Sequence, residues 1–256
     1  MVNDVVRSEW TKFSSLRSTA YTLAATALLG VGLTGLIAAG QAREYAAADA
    51  AARAAFDPSI VLRSFLVAQL TLGVLGVLVV TSEWATGMMR TSLTVVPRRG
   101  RLFAAKAVVF AAVALVAGEG VGFSAFLLGQ RLLDAGDAPH LALGDPGVLR
   151  AVTGYGLYLA ATGLLGVALG TLLRSTAGAL AALVAATLLI PAFTPTLPAS
   201  WAAFLHTWWP PTAGTRVMAL TPEAHSLGPW AGFGVLTGAV AVLTAVAVLV
   251  FRRRDV

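Results

Sequence analysis

Long uncharged apolar runs alternate along this chain with short segments into which the charge is gathered. Residues 18–42, 64–82, 151–173, 175–215 and 224–251 contain no Asp, Glu, Lys or Arg, and 107–130 contains only Glu119. One helical crossing of a hydrocarbon core about 30 Å thick takes roughly 20 apolar residues, a length that most of these runs reach. The pattern predicts an all-α, polytopic membrane protein. Its six transmembrane helices are expected near 19–41, 64–82, 105–130, 151–173, 176–197 and 229–251, in a single transmembrane domain covering 1–256. No connection between them is long enough to fold alone, because domains seldom fall below about 50 residues. The first run begins near Thr19 and is longer than a signal-peptide core of roughly 7–15 residues, so it is expected to persist as the first span.

Two segments follow other patterns. Over 1–17, Val2, Val5, Val6, Trp10, Phe13 and Leu16 recur at helical spacing, with Asn3, Asp4, Arg7, Ser8, Thr11, Lys12, Ser14 and Ser15 on the other face. Too short to cross, this segment predicts an N-terminal amphipathic interfacial helix with Trp10 and Phe13 dipping into lipid. A passive juxtamembrane tether is the alternative. The 41 uncharged residues of 175–215 could hold two crossings, but the second half contains Trp201, His206, Trp208, Trp209, Pro210 and Pro211. Tryptophan favours the headgroup level and proline interrupts the hydrogen-bond ladder. An outer re-entrant or interfacial hairpin before the sixth span is therefore favoured over a seventh crossing.

Charge sets the expected orientation. Charged residues make up 12% of the chain, about half the share usual in soluble domains. With six crossings and the N-terminus inside, the inner segments hold Arg7, Lys12, Arg17, Arg90, Arg98, Arg99, Arg101, Lys106, Arg174, Arg252, Arg253 and Arg254. The outer segments hold Arg43, Arg53, Arg63, Arg131, Arg150 and Arg216. Twelve against six places both termini in the cytoplasm by the positive-inside rule. The net charge of +6 thus serves topology and anionic headgroups rather than nucleic acid. Arginine outnumbers lysine sixteen to two and alanine is abundant, a composition that suggests a GC-rich bacterial genome.

The inner connection from Ser82 to Lys106 is the most distinctive. Ser82 can cap a short helix with Glu83 in its first turn. Trp84, Met88, Met89, Val95 and Val96 give that helix an apolar side, and Pro97 ends it before the basic turn Arg98-Arg99-Gly100-Arg101. This is a docking element for a soluble partner, or simply a topogenic positive loop. The triplet Ser-Glu-Trp occurs at 8–10 and again at 82–84, a match short enough to arise by chance.

Glu119 is the one ionisable residue deep in a span, flanked by Gly118 and Gly120. An acidic group at a helix centre costs about 3 kcal/mol on insertion scales, so it should face protein or a watery cavity. Either it lines a substrate or proton path, or it is a structural carboxyl between helices. Small-residue spacings at Gly118/Gly122, Gly166/Gly170 and Gly234/Gly238 allow close helix contact.

Absent motifs narrow the chemistry. There is no cysteine, which excludes disulfides, thiolate metal sites and thiol nucleophiles. The two lysines, Lys12 and Lys106, do not follow glycine, so the chain has no P-loop. His140, His206 and His225 are widely spaced in outer segments, and no H-E-x-x-H or G-x-S-x-G occurs. No catalytic, cofactor-binding or metal site is expected. An ion-coupled carrier acting alone also lacks the several intramembrane polar sites it needs.

The layout resembles a known family. The residues that carry the resemblance are Ser8-Glu9-Trp10-Thr11-Lys12 and Leu16-Arg17-Ser18-Thr19 before the first span. Glu83-Trp84-Ala85-Thr86-Gly87, Arg90-Thr91-Ser92-Leu93, Pro97-Arg98-Arg99 and Lys106 follow the second, and Phe251-Arg252-Arg253-Arg254-Asp255 follows the last. Together they resemble bacterial ABC transporter permease subunits of the type-2 exporter family, which includes drug, lantibiotic and polysaccharide exporters. The resemblance implies a membrane-spanning subunit that forms the substrate path, pairs with a second permease copy or paralogue, and is driven by two copies of a separate cytoplasmic ABC ATPase. ATP and Mg would be bound by that partner and not by this chain. The ATPase-coupling residues implied are Glu9, Trp10, Lys12, Arg17, Glu83, Trp84, Arg90, Arg98, Arg99 and Arg101. The outer hairpin implied covers 198–222, with Trp201, Trp208, Trp209 and Pro210. A non-transporting regulatory, sensor or immunity-type subunit is the alternative.

Overall fold

A computed structural model describes residues 2–15, 17–88, 99–221 and 226–253. Among these residues all regular structure is helical. Helix α1 (Val2–Ser15) is followed by α2 (Arg17–Ala47), a short α3 (Ala50–Ala54) and a 3-10 turn (Pro58–Ser64) leading into α4 (Phe65–Ala85). Next come α5 (Arg99–Ala135) and α6 (Val148–Leu173). The fifth long helix is composite: α7 (Thr176–Val184), a π turn (Ala185–Leu189), α8 (Ile190–Phe193) and a 3-10 turn (Thr194–Thr196). Two short helices, α9 (Ala199–Trp208) and α10 (Pro210–Gly214), and a 3-10 turn (Thr215–Met218) precede α11 (Pro229–Arg253).

Six helices among the described residues are long and apolar enough to cross a bilayer, at 17–47, 58–85, 100–135, 148–173, 176–196 and 229–252. Each contains or closely matches an expected span, although α2 and α5 run several residues past the apolar limits. The segment after Thr196 makes no seventh such helix. Its extended break at Trp209 splits it into pieces of 10 and 5 residues, because Pro210 and Pro211 restart the helix there.

The fourth long helix, α6, is the axis of the bundle. In its most apolar stretch 72% of the residues are buried, against 22% in α2 and 17% in each of the fifth and sixth. Glycines let its neighbours approach backbone to backbone. A Cβ on Gly76 of α4 would strike the carbonyl of Gly163, and one on Gly166 would strike that of Gly73. On the other flank Gly118 of α5 lies against the backbone of Gly156. Two of the three small-residue spacings therefore line contacts with α6. The third does not: Gly234 and Gly238 face open space.

Two local expectations are corrected. No new helix begins at Ser82. It lies inside α4, which continues to Ala85 and stops where Gly87 takes φ +73°, a conformation that glycine adopts without strain. The remainder of the expected docking helix, Met89 to Arg98, lies outside the described residues. Phe13 does not point to lipid either. It is 8% exposed and meets Phe110 of α5 edge-on at 6.4 Å, whereas Trp10 remains 52% exposed.

Candidate functional site

The end of the bundle where α1 packs and α11 finishes concentrates the polar chemistry. Lys106, in the second turn of α5, is 5% exposed and points between α1 and α4. Its Nζ donates to Glu9 Oε2 at 2.6 Å and to Glu83 Oε1 at 2.7 Å. Lys12 Nζ donates to Glu9 Oε1 at 2.7 Å and lies 3.7 Å from Glu83 Oε1. Two carboxylates and two ammonium groups thus form a neutral quartet. Glu9 is 4% and Glu83 7% exposed. Buried charges are tolerated only when paired in this way.

The arrangement follows from where each helix ends. Glu9 sits one turn before Phe13, so docking of Phe13 on α5 carries the Glu9 carboxylate over Lys106. Glu83 is the last acidic position before Gly87 stops α4. Burial pushes the Glu9 carboxyl up, but the facing Lys106 ammonium and the hydrogen bonds from Lys106 and Lys12 outweigh it. The group is held below its ordinary value of 4.5. Beside the quartet a cavity of about 170 Å³ is lined by Phe13, Val79, Val109, Thr86 and Met88.

The neighbouring Trp84 extends the junction to two further long helices, α6 and α11. The Arg174 guanidinium lies 4.2 Å from the centre of its ring, a cation–π contact. Arg174 itself closes α6 in the left-handed region at φ +50°. Phe251 of α11 meets the Trp84 ring edge-on at 6.1 Å and also reaches Phe103 of α5 at 6.4 Å. One dipeptide at the end of α4, Glu83-Trp84, therefore touches α1, α5, α6 and α11. The two Ser-Glu-Trp triplets have a shared role for their glutamates: both end on Lys106.

The expected coupling residues divide into three groups. Glu9, Lys12, Glu83 and Trp84 are brought together, but the carboxylates of Glu9 and Glu83 face into the chain instead of presenting a contact surface. Trp10, Arg17 and Arg101 are exposed at the same end. Arg99 opens α5, while Arg90 and Arg98 lie outside the described residues. Lys106 is the residue that sequence reasoning missed as the centre of the site. The available signal was a lysine just inside an apolar span with two Ser-Glu-Trp segments at the same end.

Glu119 lies far along α5 from this end, with its carboxyl against Gly156 of α6. Its Oε2 is buried without a hydrogen-bond partner. Towards the opposite end, Tyr155 and Ser64 share a hydrogen bond of 3.1 Å, Thr34 donates to Ser64 at 2.7 Å, and Tyr158 donates to Gln69 at 2.7 Å. These contacts satisfy the hydroxyls of both buried tyrosines.

The expected hairpin residues also divide. Trp201 and Trp208 are 63% and 49% exposed. Trp209 turns inward, and its indole N–H donates to the Ala186 carbonyl at 2.7 Å. The π turn explains that bond. In the π register Ile190 N–H reaches the Ala185 carbonyl, so residue 191 should serve Ala186. Residue 191 is proline and has no N–H, and Trp209 supplies the missing donor. Pro210 begins α10 directly after it.

No protein-family model matches the chain, and no curated protein matches it significantly.

Proposed function

We propose that this chain is the membrane-spanning permease subunit of an ATP-driven ABC exporter. In this reading it works as a homo- or heterodimer in a bacterial plasma membrane, with both termini cytoplasmic. The observation that carries the reading is the Glu83-Trp84 junction. A separate motor pressing on α1 or on the 86–101 segment would move α4, α5, α6 and α11 together, because Lys106, Arg174 and Phe251 tie them to one dipeptide. A subunit without a P-loop needs such an input point for force generated elsewhere.

The exposed basic and aromatic groups at that end, Trp10, Arg17 and Arg101, are the contact surface in this reading, and the quartet behind them transmits displacement. ATP binding would have to favour one permease state over the other by several kcal/mol to shift the population substantially. The helix α1 lies along the inner interface in this reading. Residues 198–222 form an outer re-entrant pair, supported by the return of Trp209 to Ala186 midway along the fifth span.

Co-expression with a P-loop ATPase encoded beside this reading frame tests the proposal. The expected result is a stable complex and ATP-dependent efflux, both reduced when Arg98, Arg99 and Arg101 are replaced by glutamine. Nucleotide hydrolysis by the purified chain alone, or no efflux from a complex that forms, overturns it. The second outcome would point to a non-transporting regulatory or immunity-type subunit.

A further inference from the structure

We propose that Glu119 is the recognition point for a hydrophobic cation lying on α5 at its seam with α6. The inference rests on the membrane placement of α5 and names the cargo class of the permease proposed above. Glu119 is the only charged residue of the run 107–130, and it is neither buried away from the surface nor freely exposed. Its carboxyl occupies the space that a side chain at Gly156 would fill, and Oε2 there has no hydrogen-bond partner. Among the described residues no basic side chain forms an ion pair with it.

The counter-charge cannot come from a second copy of this chain at that depth. The apolar runs 18–42, 64–82, 107–130, 151–173, 176–197 and 224–251 contain no Lys or Arg. At hydrocarbon depth a carboxyl without a counter-charge is held neutral and protonated, and it ionises only against a partner. With no cationic side chain of this chain at that depth, a cationic ligand is the group that would draw it into the charged form. Its body must be apolar, because the surface leading to Glu119 is. Leu115 is 39% and Val116 74% exposed on the adjoining turn, and a Cβ at Gly120 would meet nothing within 4 Å. That gap leaves room for a ring or alkyl group beside the carboxylate. An organic ammonium or phosphonium ion, with a shielded charge and a hydrocarbon exterior, fits both halves of the site.

The test uses the full chain in lipid vesicles without an ATPase. Dicyclohexylcarbodiimide, which adds to carboxyl groups in apolar surroundings, should label Glu119 as read by peptide mass spectrometry. Tetraphenylphosphonium should suppress that labelling at least tenfold, while tetraphenylborate, its anionic counterpart of equal shape, should not. Tetraphenylphosphonium binding should weaken at least tenfold in Glu119→Gln with helix content unchanged. Absence of the adduct, equal protection by both ions or by neither, or protection by sodium alone overturns the inference. The protection assay stands on the native chain, so a misfolded variant does not blunt it. Protection without any associating ATPase would leave this site in place while removing the exporter reading.

Discussion

Lys106 is the residue whose loss should matter most to the folded chain. Replacing it with methionine keeps the bulk but leaves two buried carboxylates with Lys12 as their sole cation. Removing one member of a buried ion pair typically costs about 3–5 kcal/mol, and a loss of that order is expected on thermal unfolding in detergent. The triple change Glu9→Gln, Glu83→Gln, Lys106→Met removes the uncompensated charges and should recover more than half of it. If the triple variant is no more stable than Lys106→Met, the quartet is not an electrostatic unit.

The same cluster has a pH signature. The Glu9 carboxyl is held below its ordinary value of 4.5 in the folded chain. The unfolded state therefore takes up the proton first as acid is added. The stabilisation is fully present above that ordinary value and disappears as pH falls through the lowered folded one. The gap in melting temperature between the native chain and Glu9→Gln should stay level from neutral pH down to the ordinary value of 4.5 and narrow as the pH falls further. A gap that widens in acid would reverse the sign.

At the scale of elements, the turn at Pro191 and the indole of Trp209 form one device on two segments. Trp209→Phe keeps an aromatic ring, smaller than the indole, and removes the donor, leaving the Ala186 carbonyl unsatisfied at a cost of about 1–3 kcal/mol. Adding Pro191→Ala restores a backbone N–H at the position that should serve that carbonyl, so the double variant should regain much of the loss. Additive effects in a double-mutant cycle would separate the two. The glycine contacts give a paired expectation. Gly76→Ala drives a methyl into the Gly163 backbone and should destabilise by about 1–3 kcal/mol. Gly238→Ala, with no neighbour within 4 Å, should stabilise by about 0.5–1 kcal/mol. Melting curves of the two variants check both signs.

These elements also mark what was legible in the sequence. Helix number, approximate limits and the absence of a spanning helix over 198–215 could be read from uninterrupted apolar length and from Trp209-Pro210-Pro211, both local signals. The quartet was not, since Lys106 meets Glu9 across 97 positions and Glu83 across 23. Charge patterning placed all three at one end and could say nothing of their pairing. Composition alone points Trp209 to the headgroup level. The vacancy it fills arises only because Pro191 falls one register beyond a π turn, and no periodicity reveals such a turn. Amphipathic spacing marks the apolar face that holds Phe13 without saying whether lipid or Phe110 covers it.

At the scale of the molecule, α6 is enclosed on several sides while α2, α7 and α11 turn most of their apolar length outward. Both ends of the chain meet at one end of the bundle, since α1 pairs with α5 there and Phe251 joins Trp84. An even number of crossings is the simplest topology with that property. Reporter fusions at Val2 and after Val256 should therefore give the same compartment, the cytoplasmic one by the positive-inside rule. Opposite compartments would overturn the six-span count.

The separation of Glu9 from Lys106 also has a consequence for biogenesis. When the first helix leaves the ribosome, Glu9 has only Lys12 of its own helix to bond with. The lysine that will hold it is synthesised 97 residues later, after two hydrophobic segments have already been made. Closure of α1 is thus a late step of assembly: a nascent chain arrested before residue 106 should leave its leading helix undocked, open to protease and chaperone alike.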